Sequence, residues 1–277
     1  MVNPCGPFQK NGKITLLMDS LKKRRGILVK TALWLSASDI NAKDGYYGKT
    51  ALMYASEWEH ESWPAERVIK AGANVNLKDN DGLNALFYAM WVQNADTVRL
   101  LIDAGSEIDS TDRSGRNPLM EASSRGFLDG LSLLLSAGAD INSTDKRKRT
   151  PIFYAAERNQ VGAMEMLVKK GAGINIADAA GKSAVMVAAG KGNLSALCFL
   201  VCAGADVDRT TPEGMTALMY AAAGGRKAET EFLLAAGAET DTSDINGNTA
   251  ADWAVKNGHA DVEQVIRSFS EKKTGVA

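Results

Sequence analysis

"TALMYA" stands at residues 50–55 and again at residues 216–221, so the two copies begin 166 residues apart. That distance is five periods of 33 plus one inserted residue, and the period decides the fold. Glycine recurs at this spacing at Gly72, Gly105, Gly138, Gly171, Gly204 and Gly237, followed by alanine in all but the second. A second series runs Gly48, Gly82, Gly115, Gly181, Gly214 and Gly247, with Lys148 in the missing place. Asp44, Asp79, Asp112, Asp145, Asp178 and Asp244 precede that series, and Thr211 replaces the sixth aspartate in order. Extra residues lie in "DGYYG" (44–48), before the first copy of the word, and between Glu57 and Pro64, after it.

Each period has the same physical content. Asp and Gly bracket a tight turn in which glycine takes a positive φ without a steric cost. Thr50, Asn84, Asn117, Thr150, Ser183, Thr216 and Thr249 follow as helix N-caps. Pro118 and Pro151 then occupy the first helical position, where the missing N–H costs nothing. A short Ala-rich helix comes next. A second, Leu-rich helix ends on the recurring glycine, as in "VRLLIDAG" (98–105) and "LSLLLSAG" (131–138). One such unit cannot bury its apolar face alone. Stacked copies can, which predicts an all-α solenoid of helix-turn-helix units with turn or hairpin fingers. The column Ala55, Ala89, Ala122, Ala155, Ala188, Ala221, Ala254 lets neighbouring first helices approach closely.

These residues resemble the ankyrin repeat, whose signature D-x-x-G-x-T-P-L-H-x-A has this order and period. The resemblance covers about residues 37–270 in seven units, the last serving as a C-terminal cap. Residues 1–36 are expected as a non-consensus N-terminal cap and 271–277 as a flexible tail. The family histidine is replaced by Met53, Phe87, Met120, Phe153, Met186, Met219 and Asp252, so packing is expected to do the work of its hydrogen bonds. The wording is similar to the TALM-type repeats common in bacterial ankyrin proteins.

Composition narrows the function. The chain has 277 residues, a formal net charge of −1, 45% hydrophobic residues and 23% charged ones. Those values are ordinary for a folded protein and give no global field toward nucleic acid. No apolar run has the roughly 20 residues that span a bilayer. Lys22 to Arg25 precede an apolar stretch and "SAS" (36–38), an order similar to a secretory signal, but Lys30 interrupts it. An amphipathic helix of the cap is the expected reading. Cys5, Cys198 and Cys202 make an odd set with no disulfide framework, which favours a reducing, cytoplasmic setting. His60 lies in an insertion and His259 in a structural "NGH", so neither is a candidate base. "GKT" (48–50) and "GKS" (181–183) lack the earlier glycine of a phosphate loop, with Lys43 and Ile176 there instead, and fall on the repeat's own turn and cap. No catalytic residue, metal site or cofactor is expected.

The resemblance implies binding of a partner protein through the turn tips and the exposed side of the first helices, on the concave face. The position after the lost histidine holds Tyr54, Tyr88, Glu121, Tyr154, Val187, Tyr220 and Trp253. This ladder is either helix packing or a contact surface, and a tyrosine serves both with ring packed and hydroxyl exposed. Tyr46 and Tyr47 on the enlarged turn, and Trp58 and Trp91 at the ends of first helices, are expected as exposed anchors. Arg113 and Arg116 flank the third turn; Lys146, Arg147, Lys148 and Arg149 fill the fourth; Arg125 and Arg158 end first helices. Three readings compete for this charge: an acidic patch on a protein partner, solvated charge without a role, and a nuclear-import or nucleic-acid segment. The near-zero net charge disfavours the last. The expectation is a non-enzymatic module, monomeric when free, that binds a protein with an acidic patch and neither nucleic acid nor membrane. The alternative is an inhibitor or self-protection protein that caps a partner enzyme's active site.

Overall fold

The computed structural model describes residues 40–274, with side chains through Glu271, together with Asp19 and Lys23. Apart from those two positions, the cap expected over residues 1–36, with its basic and apolar stretch and Cys5, lies outside the described residues. Among the described residues there are fourteen helices and no strand. They pair once per period: α1 (Ala51–Ser56) with α2 (Trp63–Lys70), α3 (Ala85–Trp91) with α4 (Ala95–Asp103), and α5 (Pro118–Arg125) with α6 (Leu128–Ser136). Then follow α7 (Pro151–Glu157) with α8 (Val161–Lys169), α9 (Ala184–Lys191) with α10 (Leu194–Cys202), α11 (Ala217–Ala223) with α12 (Lys227–Ala235), and α13 (Ala250–Lys256) with α14 (Ala260–Thr274). The chain is thus an all-α repeat solenoid. Its last helix continues through Thr274, past the boundary at 270 expected from sequence.

The aspartate builds each turn. Asp79 N–H donates to the Leu83 carbonyl at 2.9 Å, while Asp79 Oδ1 accepts from Asp81 N–H at 2.8 Å and Leu83 N–H at 2.9 Å. The same fork recurs at Asp112, Asp145, Asp178 and Asp244. Lys148 keeps the turn's left-handed geometry at φ 58°, where a side chain costs about 1–2 kcal/mol.

Caps start the first helices. Thr216 Oγ1 accepts from Met219 N–H at 3.2 Å and Asn117 Oδ1 from Met120 N–H at 2.9 Å. Thr150 departs from its expected role: its buried hydroxyl makes no cap bond, and Pro151 leads the helix instead. Packing does not act alone where the histidine is missing. Met53 Sδ accepts from Thr50 N–H at 3.4 Å, and Asp252 Oδ2 accepts from Thr249 N–H at 2.9 Å. Between the two helices of a pair lies a third left-handed series, Gln93, Gly126, Asn159, Gly192, Gly225 and Gly258, which the sequence reading did not pick out.

The core runs in columns. The seven alanines of the close-approach series are fully buried, as are Leu101, Leu134, Leu167, Leu200 and Leu233, at matching places in α4, α6, α8, α10 and α12. The chain divides into two compact units. The N-terminal unit takes the described residues to 122 and 129–140; the C-terminal unit takes 123–128 and the residues from 141 on. Within the first, α1 packs on α3 and α2 on α4. Within the second, α7, α9, α11 and α13 stack in order, as do α8, α10, α12 and α14.

Candidate functional site

Every turn aspartate has a second carboxylate oxygen, and its fate distinguishes the repeats. Tyr54 donates its hydroxyl to Asp44 Oδ2 at 2.6 Å, Tyr88 to Asp79 Oδ2 at 2.5 Å, and Tyr154 to Asp145 Oδ2 at 2.6 Å. The three tyrosines are 6, 2 and 3% exposed. Of the two readings the sequence leaves open for the ladder, these three hydroxyls are not exposed tips: each is spent on the turn of its own repeat. The electrostatics follow. Burial works to raise the Asp44 carboxyl, but the Tyr54 hydroxyl and the N–H groups of Tyr47, Tyr46 and Gly48 outweigh it and hold it below the usual carboxylate range. Burial first, and the Asp79 carboxylate second, push the Tyr88 hydroxyl far above its ordinary value. In the third repeat Glu121 takes the tyrosine's place and pairs with Arg116 at 2.5 Å.

In the N-terminal unit an aromatic group gathers around Lys49. Its ammonium pairs with Glu57 at 2.5 Å and lies 4.2 Å from the Tyr88 ring centroid, 5.4 Å from that of Tyr54 and 5.7 Å from that of Tyr47. Trp91 meets the Tyr88 ring edge-on at 5.0 Å and is 37% exposed. Tyr46 and Tyr47 stand at the finger tip, 80 and 49% exposed, in edge contact at 4.6 Å. The finger is held from below: the Asp44 carboxylate takes three N–H groups, and the Tyr47 carbonyl accepts from Asn80 N–H at 2.9 Å. Trp58 corrects the expectation of an exposed anchor. It is 6% exposed, edge-on to Trp63 at 5.7 Å, and its carbonyl accepts from Asn94 Nδ2 at 2.8 Å. The insertion after α1 folds back as packing, which buries the indole. Arg113 is exposed, donates to the Asn80 carbonyl and lies 3.7 Å from Asp81.

In the C-terminal unit Lys146, Arg147 and Arg158 are exposed, whereas Arg149 pairs with Asp145 at 2.7 Å and lies over the Tyr154 ring at 4.7 Å. Beside Arg147 and Arg149 opens a cleft of about 540 Å³, floored by Phe153, Met186 and Val187 and edged by Lys182, Lys191 and Tyr220. Tyr220 is half-buried, and its repeat carries Thr211 in place of the aspartate. Thr211 Oγ1 accepts Met215 N–H at 3.2 Å and offers no second oxygen, so Tyr220, which lines the cleft, has no hydrogen-bond partner for its hydroxyl among the described residues. Lys182 Nζ lies 4.6 Å from the Tyr220 ring centroid. Burial first, then the charges of Glu213 and Asp178, raise the Tyr220 hydroxyl above its ordinary value. Trp253 is half-buried under Lys256 at 5.5 Å and takes no part in the cleft.

Of the residues singled out from sequence, the structure gathers Tyr46, Tyr47, Tyr54, Tyr88 and Trp91 in one unit and Arg147, Arg149 and Tyr220 in the other. Lys49, Lys182, Asp178 and Gly190 were missed. The signal lay in one unread column, the residue after the turn glycine: Lys49, Leu83, Arg116, Arg149, Lys182, Met215, Asn248. Four of its seven members are basic, and three of these lie over a tyrosine ring. In both lysine cases the ring belongs to the next repeat. Cys198 and Cys202 are unbridged on α10. Among the described residues no three His, Cys, Asp or Glu side chains gather as a metal site, and no helix is long and apolar enough to cross a membrane. A family model described as ankyrin repeats (3 copies) matches residues 16–112, 65–145, 119–211 and 185–273.

Proposed function

The chain belongs to the ankyrin-repeat family, a family of protein–protein interaction modules that is typically non-enzymatic, and on that premise we propose that it is a non-enzymatic binder of one partner protein. The exposed aromatics at the finger and first-helix end of the N-terminal unit are its anchors. The exposed basic residues of the fingers steer a partner with an acidic patch. The observation that carries this is the pair Tyr46 and Tyr47, 80 and 49% exposed on a finger whose backbone is tied down by Asp44 and Asn80. Rigid, exposed aromatic rings lose little entropy on binding and dominate hot spots. Arg113, Lys146, Arg147 and Arg158 are exposed beside the fingers or at first-helix ends, and long-range attraction from such charge acts on the association rate. Trp58 and Arg116 leave the contact set, because the first is buried and the second serves Glu121.

The test is capture of a partner from source-cell lysate by the full chain, identification by mass spectrometry, and titration of the purified pair. Y46A/Y47A/W91A is expected to weaken the affinity by at least about 100-fold, the loss of two modest hot spots. Reversing Arg113, Lys146, Arg147 and Arg158 is expected to slow association and remove its salt dependence. An unchanged affinity and rate in both variants sinks the proposal. Where the partner is an enzyme, its turnover on mixing separates an adaptor from an inhibitor.

A further inference from the structure

The two units hold the same framework with opposite contents. In repeats one and two, Lys49 lies 4.2 Å from the Tyr88 ring centroid and pairs with Glu57 at 2.5 Å, Asp79 takes the tyrosine hydroxyl, and Trp91 meets the ring edge-on. In repeats five and six the lysine and the tyrosine are retained, with Lys182 at 4.6 Å from the Tyr220 ring centroid. Everything that satisfies them is gone. Counting along the repeat, Gly190 stands for Glu57, Thr211 for Asp79, Ala223 for Trp91 and Val187 for Tyr54. These are substitutions to smaller or less polar side chains, and three of them, Gly190, Ala223 and Val187, line the cleft of about 540 Å³. Neither Lys182 nor Arg147 has a carboxylate at salt-bridge distance among the described residues. Of the two carboxylates that line the cleft, each already has a role. Asp178 Oδ1 holds its turn through Ala180 and Lys182 N–H, and Glu157 lies 3.9 Å from Lys191. With Arg149 held by Asp145 and Lys191 beside Glu157, Lys182 and Arg147 against Asp178 leave the cleft positive.

We propose that this cleft receives a carboxylate side chain of the partner protein, seated against Lys182 where Glu57 sits against Lys49, with an aromatic side chain of the partner beside it against Tyr220, where Trp91 meets Tyr88 edge-on. The chain's own N-terminal unit displays the chemistry that fits such a place. Lys182 and Arg147 supply the charge-assisted donors, and the free Tyr220 hydroxyl supplies a third. The aromatic side chain rests on Ala223, Val187 and Met186, an apolar bed of the size that side chains of a peptide fill. A partly enclosed lysine over a ring is a stronger electrostatic partner than one in open water, because the local dielectric is lower.

The role of the cleft rests on the proposed protein-binding function, so its test isolates it. The probe is a fluorescein-labelled peptide carrying Glu-Trp-Glu between Gly-Ser flanks, titrated with the full chain by anisotropy. Matched peptides carry Gln-Trp-Gln and Glu-Ala-Glu. The acidic aromatic peptide is expected to bind in a salt-sensitive way and each matched peptide about tenfold more weakly, one good interaction's worth. Lys182→Gln is expected to weaken binding about tenfold. Gly190→Glu is the sharper variant: it restores the residue type found at Glu57 and Glu157, offers Lys182 a carboxylate from within, and is expected to abolish binding. Gly190 has no positive φ, and a Cβ there would meet Tyr220 at 3.4 Å, an ordinary contact, so the variant is expected to melt no earlier than the native chain. Equal binding of the Glu and Gln peptides, binding unmoved by both substitutions, or no binding of any peptide overturns the cleft's assignment. Partner capture that persists in Gly190→Glu but fails in Y46A/Y47A/W91A also overturns it while leaving the wider function intact.

Discussion

Tyr88 and Tyr220 occupy the same place in their repeats and live opposite lives. Tyr88 is 2% exposed, its hydroxyl is bound to Asp79, its ring lies under Lys49, and Trp91 closes over its edge. Tyr220 keeps only the lysine. The difference is made by side chains elsewhere: the aspartate nine residues earlier, the residue three later, and two residues of the preceding repeat. A repeat position thus has no fixed role. Its neighbours in the column decide whether a tyrosine is mortar or contact.

The largest break in this comparison is truncation. Tyr88→Ala is expected to cost about 3–5 kcal/mol in urea unfolding, the range for a large buried aromatic, and Tyr220→Ala under half of that. Comparable costs would mean that Tyr220 is packed as tightly as Tyr88. Removing only the hydroxyl is a finer cut. Tyr88→Phe is expected to cost about 1–3 kcal/mol, because Asp79 loses a charge-assisted bond in a buried setting, while Tyr220→Phe stays within about 0.5 kcal/mol of native.

Restoring the missing partner sharpens the contrast from the other side. Thr211→Asp gives Tyr220 an acceptor and completes the turn fork, and a gain of about 1 kcal/mol is expected in the same assay. It also adds a pH dependence of known sign. Asp44 and Asp145 have folded carboxyls held below their unfolded value, chiefly by tyrosine hydroxyls and backbone N–H groups working against burial. Their contribution is therefore present above the unfolded value of about 4 and lost as pH falls through the folded one. The Thr211→Asp gain is expected to fade over that same acid range, and a gain independent of pH would contradict the tyrosine–aspartate account. The smallest effect belongs to the turns. Lys148→Gly is expected to stabilise by about 1 kcal/mol, since Lys148 carries φ 58° where other repeats have glycine, less whatever entropy the glycine adds to the unfolded chain.

Much of the fold is legible in the sequence. The period, the turn glycines, the cap residues and the alanine column are local chemistry written out in every copy, and each copy restates the others. The seven fingers and the paired helices follow from that repetition. The binding surface was legible only in part. Tyr46 and Tyr47 stand out because they enlarge a turn, and they are exposed. Trp58 stands out equally and is buried, because the insertion that carries it folds back on Trp63 and Asn94. Gly190 draws no attention in one dimension, since a glycine near a helix end is ordinary.

By itself the sequence determined the architecture, because each turn, cap and helix is settled within a few residues of chain and then repeated 33 residues on. Only the tertiary structure decided which of the repeated side chains are satisfied. Lys49 and Tyr88 are 39 residues apart and their looser counterparts Lys182 and Tyr220 are 38, the difference being the residue inserted between Glu57 and Pro64. Electrostatic partnership and burial depend on distances of a few ångströms across stacked repeats, and those are set by packing rather than by position along the chain.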